Sequence, residues 1–508
     1  MEIMKMNMNY CRLICTLLFC FAIVNLGRAV ATEITAGAAK VDITNREAGP
    51  VNDPLYVKTL VISEGETTVV MVSVDAVAIG EIGYIKDDYL PNVRAAIQRE
   101  LGISPGNMII NASHCHGKVC AETDKRTIAA IKQAYANRVP VKVGVGEGFE
   151  DRVSENRRIT LKNGRVADSR HAYSLPPDEE IASVGPIDPE IGVLRIDRLD
   201  GTPLAVVFNF ACHPIQGVPS LGNTADLSGL AATAIEETLG NDCLALFVQG
   251  CGGDINPALY KDVENPRDAQ TLGNQLALST LKAVRGIRTT EEVPLLVHHE
   301  TIRLPRANFS RRIVEMGIER DRLLSELHGT SLNLKTFLPL VVKYNVSGQF
   351  PSYYSHRYLH ESQLGRKDLQ KHDAVNRSNI ASYIQNIHTM EKLTRVQTNL
   401  RLLHKHQTDF IDAGKRDLEV ELVGLRIGDF RLVTFPGELT VQIGLDIKAA
   451  SPHEHTFVAG YTNGYIYYAP TTEQLRNPGN AQEDCDTLLA PEWQPIFERK
   501  ALEILGRF

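Results

Sequence analysis

The sequence predicts an α/β domain with a largely buried sheet, and three observations predict it. Apolar, β-branched runs of strand length recur along the chain, and amphipathic or alanine-rich segments of helical length separate them. Several of the runs stop abruptly at small, polar or metal-binding residues. Continuous apolar runs, unlike alternating ones, suit strands covered on both faces. The composition agrees: 508 residues, 43% hydrophobic and 23% charged, describe an ordinary globular chain and exclude a disordered, collagenous or multispanning one. A formal charge of -7 argues against a chain built to coat nucleic acid or an anionic membrane, although it leaves room for a local basic patch.

The chain opens on an apolar run over residues 11–26, after a short start carrying Lys5. Ala29-Val30-Ala31 then supplies the small-x-small pattern of a signal-peptidase site. The run falls short of the roughly 20 apolar residues of a membrane-spanning helix. Residues 1–31 therefore read as a cleaved signal peptide, giving a secreted or periplasmic protein with no transmembrane segment in its mature part. Six cysteines follow the leader: Cys115, Cys120, Cys212, Cys243, Cys251 and Cys485. They permit disulfides without making a disulfide scaffold, and no CxxC pair offers a thiolate zinc site.

Thr67–Val74, Asn107–Asn111, Leu204–Phe210, Leu244–Gln249, Phe430–Phe435 and Thr456–Ala459 read as strands. Segments at about 87–101, 226–239 and 268–286 read as helices, the first stopped by Gly102. Residues 306–400 break the rhythm. They are rich in charge and helical in pattern, as over Ser310–Leu327 and Arg377–Thr398, and read as a helical lobe inserted into one domain spanning 32–508.

The strand ends gather the chemistry. Met108-Ile109-Ile110 leads to Asn111-Ala112-Ser113-His114-Cys115-His116, and Phe208-Asn209-Phe210 to Ala211-Cys212-His213-Pro214. Phe247-Val248-Gln249 leads to Gly250–Pro257, Val433-Thr434-Phe435 to Pro436-Gly437-Glu438, and Phe457-Val458-Ala459 to Gly460–Tyr465. Loops at the carboxyl ends of strands converge in open α/β sheets, so these residues can build one site. Two imidazoles and a carboxylate suit Zn²⁺, which can keep a position for water and lower that water's pKa to about 7. Each signal alone has a plainer explanation: a satisfied structural histidine, a strand-ending His-Pro, a solvated turn acid, packing tyrosines. The Gly250–Pro257 loop is not a P-loop, since no Gly-Lys-Ser/Thr follows it. The plain explanations must hold at five strand ends independently.

The same residues resemble the catalytic domain of the neutral (alkaline, non-lysosomal) ceramidases. The resemblance starts at Thr35–Thr44 and continues through Asp53–Tyr56, Asp75, Asn111–His116, Asn156-Arg157 and Phe210–Pro214. It resumes at Gly252–Pro257, Pro436–Thr440 and Asn463–Tyr468, nearly spanning the chain after the leader. It implies a neutral-ceramidase-like α/β fold with a central mixed sheet, a strand-end metal site and the inserted helical lobe. By motif match it gives a zinc ion to His114, His213, Glu438 and Tyr465. It sets His116 and Arg157 beside the substrate carbonyl and makes Tyr468 a further site residue. Two departures stand out. Asn256 occupies the place of the family's loop serine, which excludes a covalent serine mechanism if the match holds, and leaves Asn256 to orient substrate. The chain ends at Phe508, which leaves no room for the family's C-terminal immunoglobulin-like domain. The expectation is an exported zinc amidohydrolase acting on the N-acyl bond of a ceramide-like lipid, met in solution or at a membrane surface, with no nucleic-acid partner. The alternatives are another amide, an ester or a glycan-derived substrate at the same site, or a non-catalytic lipid-binding relative.

Overall fold

Strands form where the apolar runs lie. In the computed structural model, which describes residues 33–170, 173–217, 222–261, 267–351, 355–477 and 481–508, eight strands make the larger sheet. They are β1 (Thr35–Asp42), β2 (Tyr56–Glu64), β3 (Thr67–Val74), β4 (Met108–Ala112), β5 (Val139–Phe149), β6 (Glu190–Arg198), β7 (Pro203–Phe210) and β8 (Leu244–Gln249), in the order β8-β7-β6-β5-β1-β2-β3-β4. A second sheet holds β9 (Leu295–Pro305), β10 (Asp417–Ile427), β11 (Phe430–Thr434) and β12 (Thr456–Ala459) in sequential order. The expected leader lies outside the described residues.

The two sheets face each other. Ile62, Met71, Leu194 and Val207 of the large sheet share one apolar layer with Leu295, Val423, Leu425 and Leu432 of the small one. The opposite face of the large sheet is covered at one end by α1 (Tyr89–Leu101) and α2 (Thr123–Ala136), and at the other by α3 (Asp226–Leu239) and α4 (Ala269–Gly286). Gly102 ends α1 with a left-handed φ of 72°, as its sequence position predicts. The outer face of the small sheet is closed by a helix at Val441–Ala450 and another at Trp493–Leu505. The result is helix, sheet, sheet, helix. The large sheet is the central sheet the sequence predicts. That a second sheet covers one of its faces is not legible there, because an unbroken apolar run shows that both faces are covered but not whether a helix or another sheet covers them.

Most strand pairs are antiparallel, but β3–β4, β7–β8 and β11–β12 are parallel, so the large sheet is mixed as expected. Those parallel pairs contribute the strands that lead to His114, His213, Glu438 and Tyr465. The large sheet curls until its edge strands β4 and β8 meet over Asn111. Its Oδ1 accepts the Gln249 N–H at 2.9 Å, while Nδ2 donates to Gly460 O at 2.8 Å and Thr462 Oγ1 at 2.9 Å. Asn463 answers from the small sheet, its Oδ1 accepting Ile110 N–H at 2.8 Å and its Nδ2 donating to Met108 O at 2.9 Å. Paired amides satisfy backbone groups on both sides of the junction, as buried polar groups must be.

Helices at Ser310–Ser325, Leu334–Val346, Ser355–Gln363 and Asp368–Ala413 separate β9 from β10. The last runs 46 residues, past both ends of the expected Arg377–Thr398. Its buried residues all lie within Thr389–His406, so packing marks only part of its length and leaves both ends exposed. That buried stretch docks on the body: Arg395 Nη1 meets Asp168 Oδ1 at 2.9 Å and His406 Nε2 meets Asp486 Oδ1 at 2.8 Å. The six cysteines among the described residues are free thiols. Among the described residues no helix is long and apolar enough to cross a membrane.

Candidate metal centre

His114 follows β4 by two residues and takes a left-handed backbone, φ 66°, that turns its side chain inward. His213 leaves β7, its N–H donating to Ile255 O at 3.0 Å. Glu438 leaves β11 through the Pro436-Gly437 turn and pairs with Tyr468, its N–H bonded to Tyr467 O at 2.9 Å. Gly253 lets these segments close up. A Cβ there would stand 2.5 Å from Glu438 O and 2.8 Å from Leu439 O, so only glycine admits the loop this near.

His114, His213 and Glu438 are buried and present one ligand atom each within 4.8 Å of one another. Glu438 Oε2 lies 3.1 Å from His213 Nε2 and 3.6 Å from His114 Nε2. The other ring nitrogens are already engaged: His114 Nδ1 with Val77 O at 2.6 Å and His213 Nδ1 with Ile255 O at 3.0 Å. A carbonyl can only accept, so each Nδ1 carries the proton and each Nε2 keeps its lone pair toward the carboxylate, the arrangement found where histidines bind metal. Burial pushes both imidazoles down to about 4, helped at His213 by the Arg157 cation, so both are neutral near pH 7. Burial would raise Glu438, but its carboxyl lies well below the ordinary range, with the Tyr465 hydroxyl donating to it, and stays ionised. Two neutral imidazoles and one carboxylate converging from separate strand ends can hold a metal ion.

The remaining expected residues gather around this group. Tyr465 donates to Glu438 Oε1 at 2.5 Å. His116 sets its ring edge-on to His114, centroids 5.4 Å apart, and stays open to solvent while the surrounding protein lowers its pKa. Arg157 is buried and spends its whole fork: Nε on Glu483 at 2.6 Å, Nη2 on Gly253 O at 2.5 Å and Tyr468 Oη at 3.1 Å, Nη1 toward Asn256 Oδ1 at 3.3 Å and His213 Nε2 at 3.4 Å. Asn256 returns an N–H to Ser169 O at 3.0 Å, so its amide braces Arg157 and the neighbouring loop together. Burial, followed by the Glu438 charge, pushes the Tyr468 hydroxyl up to about 12, so it stays protonated.

No protein-family model matches the chain. Among solved structures, neutral ceramidase from Pseudomonas aeruginosa matches 94% of this chain and 75% of its own, with a TM-score of 0.58 at 17% identity. The fold is that of the neutral ceramidases. A ceramidase complexed with C2 agrees, matching 93% of this chain and 75% of its own with a TM-score of 0.59, again at 17% identity. The neutral-ceramidase-like fold expected from short motifs is therefore present across most of the chain.

Five residues beyond those expected from the sequence complete the surroundings. Glu483 accepts Arg157 and Arg170, each at 2.6 Å, and Arg158 reaches it at 3.4 Å. Burial opposes a charge there, but the three guanidiniums prevail and hold its carboxyl down. Arg170 also stands by Tyr468, 5.6 Å from the ring centre. Lys405, from the inserted lobe, donates to Tyr467 Oη at 2.6 Å. Tyr461 donates to Glu438 Oε2 at 3.2 Å. Tyr461 stands inside the Gly460–Tyr465 string and was legible there; Glu483 lies in an acidic run with no strand end or motif to mark it.

Proposed function

We propose that this protein is a zinc-dependent hydrolase that cleaves the N-acyl (amide) bond of a ceramide-like lipid with an activated water. The observation that carries this reading is the pair of buried imidazoles with Nδ1 tied to backbone and Nε2 turned toward Glu438. A divalent ion on His114, His213 and Glu438, with a tyrosine hydroxyl as fourth donor in the place the resemblance gives to Tyr465, would supply Lewis acidity and a water acidic enough to ionise near neutral pH. The protein's own residues do the rest. Arg157 keeps a fixed cation beside His213 and, with His116 at the solvent side, meets the charge that grows on the carbonyl oxygen. Asn256 and Tyr468 hold Arg157 in place and orient the acyl group. Asn256 offers no nucleophile, which favours water over a covalent route.

A lipid substrate fits the outer surface. Leu334, Leu338, Val342 and Val346 form one stripe on a lobe helix, each more than half exposed, with Lys335 on the same side. Residues 310–413 carry 15 lysines and arginines against 10 acids in a chain whose formal charge is -7. An apolar stripe on a basic lobe suits an anionic lipid surface. A polar substrate is the second reading, favoured by Arg157, Arg170 and His116 around the centre. A hydrolysis screen of N-acyl lipids, simple amides, esters and sugar conjugates, with and without chelator, tests both. Chelator-sensitive turnover of the lipids, restored by Zn²⁺, supports the first; turnover of the polar compounds alone replaces it with the second. A protein that binds lipid, turns over none of these and holds no metal is a binding relative.

A further inference from the structure

We infer that Tyr461, and not Tyr465, supplies the tyrosine donor of the metal set, while Tyr465 fixes the carboxylate from its outer side. The assignment rests on the metal reading above and changes which side chains do the holding. Zinc bonds of about 2.0–2.2 Å at tetrahedral angles place neighbouring ligand atoms about 3.3–3.6 Å apart. Around Glu438 Oε2 stand His213 Nε2 at 3.1 Å, His114 Nε2 at 3.6 Å and Tyr461 Oη at 3.2 Å. These separations suit ligands sharing one ion. Tyr465 Oη instead meets the other oxygen, Oε1, at 2.5 Å, the length of a strong hydrogen bond to a carboxylate and too short for two donors on one ion.

The rings agree with the distances. Tyr461 lies against His114 with centroids 4.4 Å apart and edge-on to His213 at 6.5 Å, so it stands among the imidazoles. Tyr465 packs on Tyr467, 5.3 Å away. The backbone pins Tyr461 where it is. Its carbonyl accepts the Ala112 N–H at 3.0 Å, two residues before His114, and its N–H donates to Gly437 O at 3.1 Å, one residue before Glu438. It holds this position with a φ of 53°, a conformation costing a non-glycine residue about 1 kcal/mol or more, which the fold sustains at a residue that joins both ligand-bearing segments.

Copper(II) loading of the whole chain tests the assignment, because a coordinated phenolate gives copper a visible charge-transfer band and a phenol that only hydrogen-bonds does not. Copper stoichiometry and thermal unfolding of the metal-free variants accompany each spectrum. The expected result is a band in the wild type that persists in Tyr465→Phe and vanishes in Tyr461→Phe. Should Tyr461→Phe take up no copper, Tyr465→Phe decides: a retained band supports Tyr461, a lost one overturns it. A band that survives Tyr461→Phe, or a copper-loaded wild type without one, also overturns the assignment and leaves the metal reading standing. A wild-type chain that takes up neither zinc nor copper overturns both.

Discussion

The nitrogen that a backbone carbonyl occupies fixes the tautomer of a histidine, and at His114 and His213 the carbonyls of Val77 and Ile255 occupy Nδ1. That choice leaves both lone pairs facing Glu438 and makes the ligand set ready before any ion arrives. His213→Ala removes one donor, and we expect elemental analysis to find one tightly held zinc in the purified wild type and none in the variant. Burial also makes a statement about acid. With folded values of about 4 against an ordinary 6.5, both imidazoles stay neutral while their unfolded counterparts take up protons. The unfolded state then binds more protons as pH falls from 6.5 to 4, so the metal-free protein loses stability through that window. Denaturant midpoints measured between pH 7.5 and 4 should fall, and fall less steeply in His213→Asn.

At the scale of elements, the site depends on segments brought together by buried polar side chains. Asn111 joins β4, β8 and the loop after β12, so Asn111→Ala leaves the Gln249 N–H without its partner and takes one of two donors from the Gly460 carbonyl. We expect a loss of about 3 kcal/mol in urea unfolding. Glu483 collects Arg157, Arg158 and Arg170 onto one carboxylate. Glu483→Gln strips the charge that balances them in a buried place and should cost about 3 kcal/mol or more, read by the same measurement. The helical lobe touches the tyrosine segment directly, through Lys405 on the Tyr467 hydroxyl and His406 edge-on to the Tyr467 ring. Events on the lobe therefore bear on the segment that carries Tyr461, Tyr465 and Tyr468.

At the scale of the molecule, two facing sheets aim parallel strand ends at one place, while a basic, apolar-striped lobe stands beside them. The lobe's part in meeting a lipid surface has its own test. Leu338→Glu with Val342→Glu should reduce sedimentation with phosphatidylglycerol vesicles at least several-fold while leaving zinc content unchanged. Equal sedimentation of variant and wild type would remove the lipid surface from the proposal without touching the metal centre.

Several parts of this protein are legible in its residues alone. Thr67–Val74, Leu244–Gln249 and Thr456–Ala459 are strands with the bounds their apolar runs suggest, because local burial on both faces leaves a local trace. His114, His213 and Glu438 are legible as candidates because strands end abruptly before polar side chains. Their meeting is a tertiary fact: it needs the curl that joins β4 to β8 over Asn111 and the second sheet that delivers Glu438 from the other side. The same holds for Glu483 and for the division of labour between Tyr461 and Tyr465. A side chain's chemistry is written at its own position, whereas which of two carboxylate oxygens it reaches depends on backbone turns and on contacts between residues hundreds apart in the chain.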